Sequence, residues 1–175
     1  MPGPAFLEGD RIDLRTIEEE DIEFLQEGVN DPSVWIPIGR VDPVNRAQEE
    51  EFFEEVVSER DAVNLLVTAD DARAGIVTLT SKDTEDDGAE LGYWMASEHR
   101  EQGYGSEAVE LLTEYGFRQR ALHRVSARVF DFNDGSRALL ESLGFIHEGR
   151  HREAGFVDGE YRDVHWYSVL ADEWD

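Results

Sequence analysis

At 175 residues, 40% hydrophobic and 10% aromatic, the chain has the length of one domain (1–175) and enough apolar material for a core, which excludes a disordered chain. It has no apolar run long enough to cross a bilayer as a helix, and it has no cysteine, which excludes disulfides, thiolate metal sites and a cysteine nucleophile. Its 41 acidic and 16 basic residues leave a net charge of -25, which repels nucleic-acid backbones and anionic membranes, so neither is expected as a partner.

Residues 1–9 read as a loose lead-in. Arg11–Arg15 alternates polar and apolar residues, as a strand does. Thr16 followed by Glu19 resembles a capping box, opening an acidic first turn and a helix whose apolar side is Ile22, Phe24, Leu25 and Val29. Asp31-Pro32 breaks that helix, and Trp35–Gly39 reads as a loop or short turn. A second helix is expected over 45–60, burying Phe52, Phe53, Val56 and Val57. Val63–Thr68 and Ala74–Thr80 are strand-like, and Asp70–Arg73 between them is a hairpin signal. Ser81–Gly88 reads as a polar, acidic turn and Ala89–Met95 as a third strand of an antiparallel meander.

Then comes the turn Arg100-Glu101-Gln102-Gly103-Tyr104-Gly105-Ser106 and a helix from near Ser106 to about Arg120. Two glycines let the backbone turn sharply and bring its N–H groups close to a ligand. The helix start adds unpaired N–H groups and the positive end of the helix dipole, which together suit phosphate oxygens. Val125–Phe130 is a strand, and a strand–helix–strand connection predicts a parallel pair with Ala89–Met95. Asp131–Asn133 leads into a shorter helix through Leu143, which Gly144 ends. Phe145-Ile146 starts another strand, 149–160 reads as a loop, and Arg162–Leu170 is the last strand.

The turn acquires a specific meaning from a second motif, Asn133-x-x-Ser136-x-x-x-Leu140-Glu141-x-x-Gly144-Phe145. In that order and spacing the two motifs resemble the GNAT superfamily of acyl-CoA-dependent N-acetyltransferases. Arg100-x-x-Gly103-x-Gly105 matches its pyrophosphate-binding motif. The strand Glu90-Leu91-Gly92-Tyr93-Trp94, the opening Arg11–Arg15 and the ending from Gly149-Arg150 to Tyr167–Leu170 resemble the branch containing ribosomal-protein N-terminal acetyltransferases. The resemblance implies an α+β fold. Its mixed, mostly antiparallel sheet would have about seven strands flanked by helices, with the parallel pair 89–95 and 125–130 splayed apart.

The resemblance also implies an enzyme that uses acetyl-CoA and no metal. Its pyrophosphate would lie on backbone N–H groups of Gln102, Gly103, Tyr104, Gly105 and Ser106, with Arg100 adding a positive contact. Pantetheine would follow the strand edge at Trp94, Met95 and Ala96, the Met95 N–H would polarise the thioester carbonyl, and Asn133 would contact the cofactor from the other splayed strand. Glu90 is the candidate base for the attacking amine, and its competing reading is a solvent-facing strand glutamate. Leu140 stands where many members carry a tyrosine that protonates the departing thiolate, so Ser136 is the candidate acid. The competing reading of Ser136 is a helix N-terminal hydroxyl or a simple cofactor contact.

His147 and His151 lie four apart, on strand and loop, without a third metal ligand. His99 sits beside the phosphate turn. Trp35, Tyr93 and Trp94 either line the acceptor pocket or pack in the core. The acceptor is expected to be a protein or peptide N-terminal amine. The alternatives are a small amine (an amino acid, a polyamine or an aminoglycoside) or no turnover at all, in an acyl-CoA-binding sensor. Monomer and homodimer are both compatible with the sequence. The N-terminus, MPGPAFLEGD, lacks the features of a signal peptide, so a cytoplasmic location is expected. The acidic residues are spread along the chain rather than gathered in a tail. Adaptation to high salt, where screening falls to about 3 Å, therefore explains them better than a basic partner does.

Overall fold

In the computed structural model, which describes residues 2–58, 61–81 and 87–175, hydrophobic alternation builds one eight-stranded sheet. The strands are β1 (Ala5–Glu8), β2 (Asp13–Thr16), β3 (Ala62–Ala69), β4 (Ala72–Ser81), β5 (Gly88–Met95), β6 (Arg124–Phe130), β7 (Ile146–Val157) and β8 (Glu160–Leu170). Their order across the sheet is β1-β2-β3-β4-β5-β6-β8-β7. The helices are α1 (Ile22–Asn30), α2 (Pro32–Ile38), α3 (Arg46–Phe52), α4 (Tyr104–Gln119) and α5 (Asp134–Ser142). No helix among the described residues is long and apolar enough to cross a membrane.

Side chains alternate across a strand, so β3, β4 and β5 each feed two cores. Leu65, Val67, Val77, Leu79, Leu91 and Met95 join Ala108, Val109 and Leu112 of α4 on one face. Leu66, Ile76 and Trp94 join Leu25 and Val29 of α1 and Val34 of α2 on the other. Burying a side chain such as Leu112 or Leu66, both at 0% exposure, contributes about 2 kcal/mol.

All neighbouring strands are antiparallel except β5 and β6. That pair is in parallel register only at Gly88↔Arg124, Ala89↔Val125 and Glu90↔Ser126. Beyond Glu90 the two strands part, while β6 stays paired with β8 as far as Phe130↔Val164. The expected mixed sheet with a splayed parallel pair is present, with one strand more than expected.

Several local expectations change. The lead-in forms β1 and pairs with β2. The Asp31–Gly39 stretch is a helix, because Asp31 caps it by accepting the Ser33 N–H at 2.8 Å and Pro32 occupies the first turn, where proline favours rather than breaks a helix. Gly39, at φ 75°, closes it. At the start of α1, the acceptor for the Glu18 N–H is Asp21, and the Thr16 hydroxyl donates to the Glu18 side chain, so Thr16 and Glu19 form no capping box. The 45–60 helix holds α form only to Phe52, then widens into a π turn at Phe53–Val57; residues 59–60 lie outside the described residues. In α3 it is Glu49, at 3% exposure, that is buried, while Val56 is exposed. The Ser81–Gly88 turn falls mostly on 82–86, also outside the described residues.

Helix α4 starts at Tyr104, two residues before Ser106. The stretch 149–160 is strand rather than loop: β7 runs from Ile146 to Val157 and turns into β8 at Asp158-Gly159. As the outermost strand it is mostly exposed, so no apolar alternation announces it, and charged residues such as Arg150, Arg152 and Glu153 guard the open edge.

Candidate active site

Where β5 and β6 part, the backbone edge Leu91–Met95 loses its neighbour. The Ala96 N–H donates to Ala74 O of β4 at 2.8 Å, and hydrogen bonding alternates along an antiparallel pair. The Met95 N–H therefore points away from β4, toward the gap. Two cavities meet there. The first, about 550 Å³, lies between α2, the end of β5, the phosphate-type turn and α5. The second, about 460 Å³, lies between the end of α2, the edge of β5, β6 and the β7–β8 hairpin. Tyr93, Asn133 and Ser136 border both.

Of the expected cofactor residues, Trp94, Met95, Arg100, Gly103, Tyr104, Gly105, Ser106 and Asn133 line the first cavity. Ala96 and Gln102 lie beside it. The Ala96 N–H is bound to β4, and the Gln102 carbonyl accepts from Arg11 Nη1 at 2.6 Å. Gly103 caps α4 at φ 80°, a conformation that side chains resist, leaving the Tyr104, Gly105 and Ser106 N–H groups at the open helix end. The Arg100 guanidinium is committed to the fold. It donates to Met95 O at 2.9 Å and to the Ser33 carbonyl and hydroxyl at 3.1 Å, tying α2 to the end of β5.

A second clamp comes from Arg11, in the turn between β1 and β2. It reaches the carbonyls of Gln102 and Gly103 and pairs with Glu107 at 3.1 Å. Burial pushes the Glu107 carboxyl up, but hydrogen bonds from Arg11 and the Ile12 N–H outweigh this and hold it below the usual carboxylate range. Sequence order gives no sign of this contact, because Arg11 and the turn are about ninety residues apart.

Ser136 sits in the first turn of α5, where its N–H donates to the capping Asn133 side chain at 3.2 Å. Its hydroxyl is hydrogen-bonded to the Tyr93 hydroxyl. Burial pushes the Tyr93 phenol up to about 12, with the Ser136 bond pulling weakly the other way, so the phenol keeps its proton at neutral pH. Leu140 is fully buried in the α4-side core. A polar group able to give a proton is thus present near the gap, on β5 rather than at position 140.

Glu90 lines the second cavity but not the first, and its carboxylate is held by Arg128 Nε at 2.6 Å. Ser136 and Glu90 therefore share the second cavity, and only Ser136 also borders the first. His99 borders the first cavity, and Trp35 borders neither. His147 and His151 are both on β7, and His147 Nε2 lies 2.8 Å from His165 Nδ1. Among the described residues no group of three or more metal-ligating side chains occurs. The chemistry available is anion binding at the start of α4, a backbone donor in the gap, and a carboxylate and a hydroxyl pair on either side of it.

Residues 11–146 match the family described as Acetyltransferase (GNAT) domain. The chain is 35% identical over 106 residues to the putative ribosomal N-acetyltransferase YdaF of Bacillus subtilis (strain 168), an alignment covering 61% of this chain and 58% of that protein. It is 32% identical over 170 residues to the uncharacterized N-acetyltransferase p20 of Bacillus licheniformis, covering 94% of this chain and 96% of that one. Among solved structures, spermidine N-acetyltransferase from Vibrio cholerae, in complex with CoA and spermine, superposes with a TM-score of 0.88 at 22% identity, covering 94% of this chain and 98% of that one.

Proposed function

The chain belongs to the acetyltransferase (GNAT) family and is an acetyl-CoA-dependent N-acetyltransferase, and from that footing we propose that its acceptor is the α-amine of a protein or peptide N-terminus. The observation that carries the reading is the meeting of two cavities at Tyr93, Asn133 and Ser136, one suited to the donor and one to the acceptor. The 35% identical relative, itself a putative ribosomal N-acetyltransferase, supports the choice of acceptor.

Acetyl-CoA supplies the acetyl group as a thioester. The Tyr104, Gly105 and Ser106 N–H groups receive the pyrophosphate at the start of α4, with Gly103 setting the turn. The Met95 N–H donates to the thioester carbonyl oxygen and stabilises charge as it develops there. Glu90, steadied by Arg128, takes the proton of the attacking amine directly or through a water. Ser136 delivers a proton to the departing sulfur, and Tyr93 stands behind it as the bonded donor. No group of the chain needs to carry the acetyl covalently.

A small-molecule amine is the second reading, favoured by a buried carboxylate, Glu49, on the acceptor side of β5. The test is thiol release from acetyl-CoA with a panel of short peptides and small amines. Turnover with peptides that have free N-termini, and none with the same peptides blocked, is the expected result. Turnover with small amines only would overturn the acceptor assignment. Failure of saturating CoA to raise the melting temperature of folded protein would overturn the donor site.

A further inference from the structure

A third cavity, about 210 Å³, lies on the α1 and α3 side of the sheet. At its wall stands Glu49, at 3% exposure. Its carboxylate makes no hydrogen bond or ion pair among the described residues. Burial raises its pKa, and Arg40, an exposed residue that lines the same cavity without ion-pair contact to Glu49, offsets this only in part. A buried, unpaired carboxylate is costly unless a cation or a hydrogen-bond donor arrives to meet it.

The other walls narrow what that donor is. Phe52, Tyr93 and Trp94 present aromatic surface, which attracts a cation at its face. Leu25, Val29 and Ile76 present only hydrocarbon, suited to a short methylene chain. Arg40 and Thr78 complete the lining, and a carboxylate that Arg40 leaves without an ion pair, within otherwise aromatic and aliphatic walls, is chemistry for an alkylammonium. Ile38, Gly92 and Tyr93 border this cavity and the second cleft alike, so one acceptor molecule has access to both.

We propose that this cavity is a subsite for a second protonated amine of the acceptor, carried on a short alkyl chain from the reacting amine and met by the Glu49 carboxylate. The proposal rests on the amine-acceptor reading and adds that the acceptor is at least a dication, either a free diamine or a peptide carrying a lysine near its N-terminus.

The test is calorimetric titration of the CoA-bound protein at fixed ionic strength with 1,4-diaminobutane and n-butylamine, and with glycyl-lysine amide and glycyl-norleucine amide. In the wild type at least one dication binds about tenfold or more tightly than its monocationic partner, the scale of one buried charged hydrogen bond. Glu49→Gln removes that advantage, and Glu51→Gln, an exposed charge on the same helix, leaves it. Phe52→Leu, which keeps the charge, weakens the dication and guards against misfolding of Glu49→Gln, with melting temperatures measured for each. An advantage for the diamine alone assigns the subsite to a free diamine, and one for the lysine peptide alone assigns it to a side chain. Equal binding of both charge states by the wild type, or an advantage that survives Glu49→Gln in folded protein, overturns the subsite. Thiol release with the same compounds separates the two claims: Glu49-dependent binding without release sinks the transfer reading and keeps the subsite, and release without any dication advantage does the reverse.

Discussion

Tyr93 borders all three cavities, and its hydroxyl is joined to Ser136. If the two act as one proton donor, Tyr93→Phe and Ser136→Ala each lower kcat by about tenfold to a hundredfold and leave the KM for acetyl-CoA nearly unchanged. The double variant is then no worse than the poorer single one, since residues acting as a unit are not additive. Independent, multiplying effects in steady-state kinetics would count against a shared role. For Glu90, the expectation is a drop of about a hundredfold in kcat for Glu90→Gln; unaltered turnover would remove it as the base. Its place before Leu91–Met95 makes Glu90 a candidate in the sequence, and the structure adds the Arg128 pairing at 2.6 Å. The sequence offers Tyr93 as an acceptor-pocket or core aromatic but not as the partner of Ser136, because a hydrogen bond across forty-three residues has no sequence signature.

At the scale of elements, the start of α4 depends on a partner far away in the chain. Arg11 holds the carbonyls of Gln102 and Gly103, so Arg11→Ala is expected to weaken CoA binding several-fold while kcat at saturation stays near wild type. Gly103→Ala combines a left-handed backbone with a Cβ only 2.7 Å from Arg11, and a side chain in that conformation alone costs about 1 kcal/mol or more. Its CoA affinity falls further than that of Gly105→Ala, whose Cβ meets Met95 and Leu139 at an ordinary 3.5 Å. Equal affinities in a CoA titration would contradict this account of the turn.

The β7–β8 hairpin carries a separate, pH-dependent element. Burial, followed by Arg137 and His147, depresses the His165 pKa below the ordinary histidine value. A histidine whose folded pKa is depressed resists protonation in the native state, so its contribution to stability is complete above about pH 6.5 and is lost as pH falls below that. Melting temperature should therefore decline between pH 7.5 and 5.5, and less steeply in His165→Asn. Identical slopes for the two proteins would show that His165 is not the group involved.

Across the whole molecule the dominant quantity is the charge of -25. Self-repulsion of this size is relieved as added salt shortens the screening length from about 10 Å at 0.1 M to about 3 Å at 1 M. If the composition is an adaptation to salt, the melting temperature rises by several degrees between 0.1 M and 2 M KCl. The apparent affinity for a cationic acceptor falls over the same range, because the same field attracts it. A melting temperature that falls with salt would oppose that reading.

The sequence alone determined the sheet-forming alternation of β3, β4 and β5, the turn before α4, and the parallel β5–β6 connection, because each rests on local periodicity or on a connection rule of short range. It also determined the order of the two motifs on which the family resemblance rests. It did not reveal β7, an exposed edge strand without apolar alternation, or α2, whose proline reads as a breaker until Asp31 is seen to cap it. The tertiary structure alone decided that Arg100 holds the fold together while Arg11 braces the turn, that Leu140 is core and Tyr93 the half-buried hydroxyl near the gap, and that Glu49 is buried at the wall of a cavity with no ion pair among the described residues. Each of these depends on which distant strand or helix comes to lie alongside, and no residue's own neighbours in the chain carry that information.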